Sequence, residues 1–233
     1  MRIWLSLLLC IGCEAASLGV NLPQGGTDSI QPANIKRDLW KLTDPRLGGR
    51  VPGSSGARLV AKQIAKRFEY SGLDPVFEGR FRRELGSDVG EMICGVRKGS
   101  GEQAVLMLAL DPGIGTLSAI PMAAMINVAH AFETVEAPMH SMYFCVVPEA
   151  GGLTGFTSTS PVALGQVVEI FIIGTLTGEN LVAQTGPVLG PLRTTLLHTG
   201  PLDWNVSDDI GQLDYARISE QLNAVYLRAS SVD

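Results

Sequence analysis

Histidine is scarce in this sequence. Its 233 residues hold three, His130, His140 and His198, which speaks against a multi-histidine metal centre. Charge is thin too, at 18% Asp, Glu, Lys and Arg, and no Lys or Arg occurs between Lys98 and Arg193. With a formal net charge of −5 and a pI near 5.2, the chain lacks the basic field of a nucleic-acid binder, and no nucleic-acid partner is expected. Several catalytic signatures are missing: HExxH, G-x-S-x-G, the P-loop, and G-x-G-x-x-G after a strand. What the chain does have is apolar bulk. Hydrophobic residues make up 45% and mean hydropathy is +0.21, which excludes a disordered chain and suits one domain with a full core.

Arg2 precedes the apolar run Ile3–Ile11, followed by Gly12-Cys13-Glu14-Ala15-Ala16. A positive residue, a short apolar stretch and a small-residue exit read as a signal peptide over 1–16. The run is too short to span a bilayer, which takes about 20 residues. Cys10-Ile11-Gly12-Cys13 also resembles a lipobox, which makes Cys13 a candidate lipid anchor. The expected location is therefore exported: periplasmic, cell-envelope or extracellular, free or lipid-anchored. Residues 17–30 are aperiodic and read as a flexible tether, and 31–233 as the folded domain. Beyond the leader only Cys94 and Cys145 remain, each in an apolar run. They read either as buried free thiols or as a disulfide, and spacing alone does not choose.

Periodicity organises the rest. Ala33–Leu42 and the segment after Ser54 or Ser55 are amphipathic helices, the second ending at Gly72. Val76–Leu85, Glu91–Val96 and Ala104–Leu110 read as strands, Ala119–Phe132 as a helix buried on all sides, and Met142–Val147 as another strand. A Gly/Thr/Ser-rich loop is expected over 151–160, strands at Val167–Ile173 and Thr194–Leu197, and a closing helix from Leu213 to about Ala229. The continuous apolar strands predict a three-layer α/β/α domain with a mixed, largely parallel sheet. In such folds chemistry collects at the carboxyl ends of strands. Two acids stand there, Asp111 and Glu149, as a candidate acid–base pair or as turn and helix caps.

The order of these pieces resembles the secreted co-catalytic di-zinc aminopeptidases, relatives of glutaminyl cyclase and of the protease-like domain of the transferrin receptor. The resemblance covers roughly 30–230. It rests on Leu47-Gly48-Gly49-Arg50-Val51-Pro52-Gly53-Ser54, on the helix ending Tyr70-Ser71-Gly72-Leu73-Asp74-Pro75, on the segment 149–155 and on the strand leading to Gly178. That family implies five zinc-ligand positions. Its first His corresponds to Ala109, two residues before a retained supporting Asp111. Its bridging Asp corresponds to Leu117. Its Glu-Glu pair, general base then ligand, corresponds to Glu149-Ala150. Its later Asp and last His correspond to Thr175 and Asn205. His198 is a rival match for the last position.

The resemblance thus implies a degenerate member with no zinc and no other cofactor, Glu149 and Asp111 being vestigial catalytic positions. The interval from Thr175 to Asn205 is shorter than in the family, so the fold is expected to be truncated toward the C-terminus. Two functions follow as expectations. One is an exported, inactive aminopeptidase-like domain with a binding or structural role toward an unknown protein or peptide partner. The other is a hydrolase with a metal-free Asp111/Glu149 acid–base site.

Overall fold

The structure, a computed structural model, describes residues 26–113, 117–133, 136–174, 194–198 and 210–232. The leader, the residues before Gly26, Thr175 and Asn205 lie outside the described residues, so nothing structural is said of them.

A 3-10 turn at Gly26–Ser29 leads into α1 (Pro32–Leu42) and, after the glycine-rich segment 47–53, α2 (Ser55–Tyr70). Then come β1 (Asp74–Pro75), β2 (Arg82–Gly86), β3 (Gly90–Arg97) and β4 (Ala104–Asp111). These are followed by α3 (Ile120–Ala131), β5 (Ser141–Pro148), α4 (Glu149–Thr159), β6 (Val167–Gly174), β7 (Thr194–His198) and α5 (Tyr215–Ser230). The seven strands form one sheet in the order β1-β3-β5-β4-β6-β7, with β2 also paired to β3. Strands β5, β4, β6 and β7 run parallel, while β3 is antiparallel to β5 and to both outer strands. The mixed sheet is as the apolar strand patterns predict.

Strand β4 shows why the sheet must be covered twice. Residues 104–110 are all buried. Val105, Met107 and Ala109 face a core shared with α1, α2, α3 and α5, whereas Leu106, Leu108 and Leu110 face a second core. That second core is closed by Phe156 of α4, which is fully buried. Parallel β5 and β6 require a crossover, and α4 supplies it where the composition suggests a loop. Three of its residues are glycine, each costing about 1 kcal/mol against alanine. Anchoring by Phe156 and by the Ser158 and Thr159 hydroxyls, which donate to Gly155 O at 2.9 and 2.6 Å, overrides that local preference. The expected strand Val76–Leu85 is likewise broken: a turn closed by paired Phe77 and Arg80 separates β1 from β2. The packed domain also starts before residue 31. Ser29 and Ile30 are fully buried, and the Ser219 hydroxyl of α5 donates to Ile30 O at 2.6 Å.

Among the helices, α3 is buried on every side, sandwiched between the sheet and α1. Asp38 of α1, 2% exposed, accepts hydrogen bonds from Asn127 of α3 at 3.2 Å and Arg67 of α2 at 3.3 Å, which ties three helices at one carboxylate. Ser54 caps α2 through the Ala57 amide at 3.1 Å. A side chain at Gly56 would place its Cβ 2.0 Å from Leu47 O, so only glycine lets the 47–53 segment lie on the start of α2.

Cys94 and Cys145 are paired in the antiparallel β3–β5 register and joined by a disulfide, with Cα atoms 4.2 Å apart. The structure thereby resolves the thiol alternatives in favour of the bridge. It closes a loop with a sequence separation of 51, for which chain entropy gives a stabilisation of about 4 kcal/mol. The paired Cys94→Ala/Cys145→Ala variant is expected to lose about 2–4 kcal/mol of unfolding free energy in denaturant titration. Reductant is expected to shift the wild type but not the variant.

Candidate functional site

The carboxyl ends of β4 and β5 lie side by side, with Asp111 in register with Pro148 and Glu149 one residue beyond. The sheet therefore brings together the two acids picked out from sequence. Ala109 is one pleat back on the helix-covered face, fully buried and paired with Val146 and Ile173. Leu117 opens a 3-10 turn before α3 and Ala150 lies in the first turn of α4. The three histidines go elsewhere. His130 on α3 contacts Glu133 at 2.9 Å, and buried His140 precedes β5 at the opposite edge of the sheet. His198 ends β7, level with Gly174 of β6, instead of standing in a turn before the closing helix.

A residue that sequence reasoning treated only as part of a motif dominates this edge. Arg50, 5% exposed, enters from the glycine-rich segment and places Nε 3.7 Å from Asp111 Oδ1. Its Nη1 donates to Leu42 O at 3.2 Å and its Nη2 to the Ser118 hydroxyl. One guanidinium thus ties the end of α1, the end of β4 and the start of α3. The Gly113 amide also donates to Asp111 Oδ1, at 2.9 Å. The available signal was an arginine isolated between Gly48-Gly49 and Val51-Pro52 in an otherwise chargeless turn.

Burial pushes the Asp111 carboxyl above its ordinary range, with Arg50 and the Gly113 amide pulling it back down. Burial also lifts Glu149, and the negative charge of Asp111 adds to the rise. Desolvation draws the Arg50 guanidinium down from its usual value, opposed by Asp111. A cavity of about 60 Å³ adjoins the pair, walled by Pro52, Val60, Ile64, Val89, Met122 and Val146.

No family profile matches the sequence, and no curated protein matches it. Solved structures do. A leucine aminopeptidase precursor from Bacteroides thetaiotaomicron superposes with TM-score 0.63 at 12% identity, covering 91% of this chain and 99% of that one. A glutaminyl cyclase of the same species gives 0.61 at 12%, over 91% and 100%. BSAP, a zinc aminopeptidase from Bacillus subtilis, gives 0.61 at 10%, over 86% and 94%. The chain has the zinc-aminopeptidase and glutaminyl-cyclase fold.

On that fold, the residues present do not fit a pair of zinc ions. Ala109 offers no donor atom, and the Asp111 carboxylate is held by a guanidinium. Among the residues described, no three of His, Cys, Asp and Glu stand close enough to hold a metal. The shortening expected toward the C-terminus falls at 175–205, of which only 194–198 are described.

Burial raises both carboxyls, so the ionisation of each costs the folded state, at Asp111 against the pull of Arg50 and the Gly113 amide. Because the folded pKa of Glu149 is raised, its ionisation costs the folded state, and the cost grows as pH rises through the carboxyl range. Glu149→Gln removes that cost. Its unfolding free energy is therefore expected to equal the wild type's near pH 4 and to exceed it at about pH 7.

Proposed function

We propose that this chain is an exported, catalytically inactive aminopeptidase-like domain with a binding or structural role. The observation that carries this reading is the pairing at the strand ends, where the Arg50 charge meets Asp111; the resemblance, which sets Ala109 at the first zinc-ligand position, supports it. In a working di-zinc site, metal charge would meet the carboxylates and acidify a water. Here a fixed cation does the neutralising, and Glu149 has no activated water to deprotonate. A metal-free acid–base pair has less support. Such a pair needs one carboxyl pushed up and the other left ionised and free to exchange protons, whereas burial raises both and Asp111 accepts from the Gly113 amide beside the Arg50 charge.

The adjoining cavity supports a role outside small-molecule turnover, since about 60 Å³ falls well short of the roughly 300–1,000 Å³ of ordinary ligand sites. The buried disulfide supports export, because such bonds persist in oxidising compartments. No helix of the described residues is long and apolar enough to cross a membrane.

Elemental analysis of the purified protein, together with aminoacyl-nitroanilide hydrolysis and N-terminal glutamine cyclisation assays, tests the reading. The expected result is sub-stoichiometric zinc and rates unchanged by chelator or by Glu149→Gln. One or two zinc ions per chain, or an activity abolished by either treatment, would overturn it.

A further inference from the structure

Charge in this molecule is strongly polarised. Residues 32–70 hold nine Lys and Arg against three acids, a net +6 within a chain whose total is −5. These residues include the two helices that close one side of the domain. Helix α1 buries Ile35, Asp38, Leu39 and Leu42, which leaves Lys36, Arg37, Trp40 and Lys41 in solvent. Helix α2 buries Val60, Ala61, Ile64 and Phe68 and exposes Leu59, Lys62, Lys66 and Tyr70.

A groove of about 270 Å³ runs between them, floored by Leu42 and Ile126 and flanked by Lys41, Lys66 and Tyr70. The acid within it, Asp38, is buried and already engaged by Arg37, Arg67 and Asn127. The one exposed acid of the two helices is Glu69. Among the described residues no ion pair engages Lys41, Lys62 or Lys66. These lysines therefore keep their full field toward an external anion.

Large apolar side chains stand among these cations. Trp40 is 56% exposed, Leu59 50% and Tyr70 72%, half of the six large hydrophobics the described surface exposes. Lysines interleaved with tryptophan, tyrosine and leucine on an outward helical face are what a bilayer interface selects: cations meet headgroup phosphates while aromatic rings sit at headgroup depth. We propose that the α1–α2 face docks the domain on an anionic lipid surface, with Lys41, Lys62 and Lys66 on the headgroups and Trp40 and Tyr70 at their level. The charge complementarity is local. The remainder of the chain, net negative, is repelled by the same surface, and this fixes which face turns toward it.

Vesicle flotation of the full chain tests it, comparing pure phosphatidylcholine with vesicles containing roughly one third phosphatidylglycerol. Arg2 and the N-terminal amine also favour anionic vesicles, so the comparison of the wild type with the double variant below reads the domain. Binding is expected to favour the anionic vesicles and to weaken as salt rises. The double variant Lys41→Gln/Lys66→Gln is expected to lose about fivefold in partitioning for each lysine neutralised, while Lys98→Gln, at a site paired with Asp74, leaves binding unchanged. In a Trp4→Phe/Trp204→Phe background Trp40 is the remaining tryptophan, and its emission is expected to shift to the blue on anionic vesicles. Equal binding to both vesicle types would overturn the proposal, as would anionic binding that the double variant does not weaken. Self-association in sedimentation that the double variant abolishes, without any vesicle preference, would assign the face to a second copy of the chain and overturn it too.

Discussion

The arrangement at the strand ends depends on a single buried cation. Arg50 carries a charge into a buried position at the strand ends, and burying such a charge is tolerable only with partners on several sides. Those partners come from three separate pieces of chain: Leu42 at the end of α1, Asp111 at the end of β4 and Ser118 before α3. The glycine-rich segment that delivers Arg50 is in turn held on α2, where the space at Gly56 admits no side chain. The strand-end site and the packing of the helical layer are therefore one structure. Changing the charge at Asp111 also alters how α1 and α3 are held.

A metal centre ordinarily contributes binding energy to the folded state and gathers loops around itself. Here the loops around β4 and β5 are gathered by a guanidinium, a hydroxyl and a backbone amide. Of the two carboxylates at these strand ends, Asp111 is desolvated beside a cation and Glu149 is desolvated beside a like charge.

Much of this was legible in the sequence because burial leaves a compositional trace. Strand β4 and helix α3 are apolar on all faces, and each was placed to within a residue. The two acids at strand ends were found because the chain is so poor in charge there. Three things were not legible. Helix α4 looks like a loop because three glycines and several hydroxyl residues hide a crossover that topology requires. The break between β1 and β2 is set by the Phe77–Arg80 turn, whose residues fit a strand equally well. The Cys94–Cys145 bond and the Arg50–Asp111 pair join positions far apart in sequence, and only the strand order brings them together. The likeness to aminopeptidases was nonetheless visible in the order of short motifs, at an identity of about 12%.

The hydrogen bond from Ser219 to Ile30 spans 189 positions and joins the last described helix to the first described turn. Helix α5 also packs Tyr226 against Phe132, with ring centroids 4.8 Å apart, so it covers the otherwise exposed end of α3. Until α5 docks, that end of α3 is uncovered and the N-terminal turn is unanchored. A closing contact of such sequence separation forms late, since the loop entropy must be met before it is rewarded.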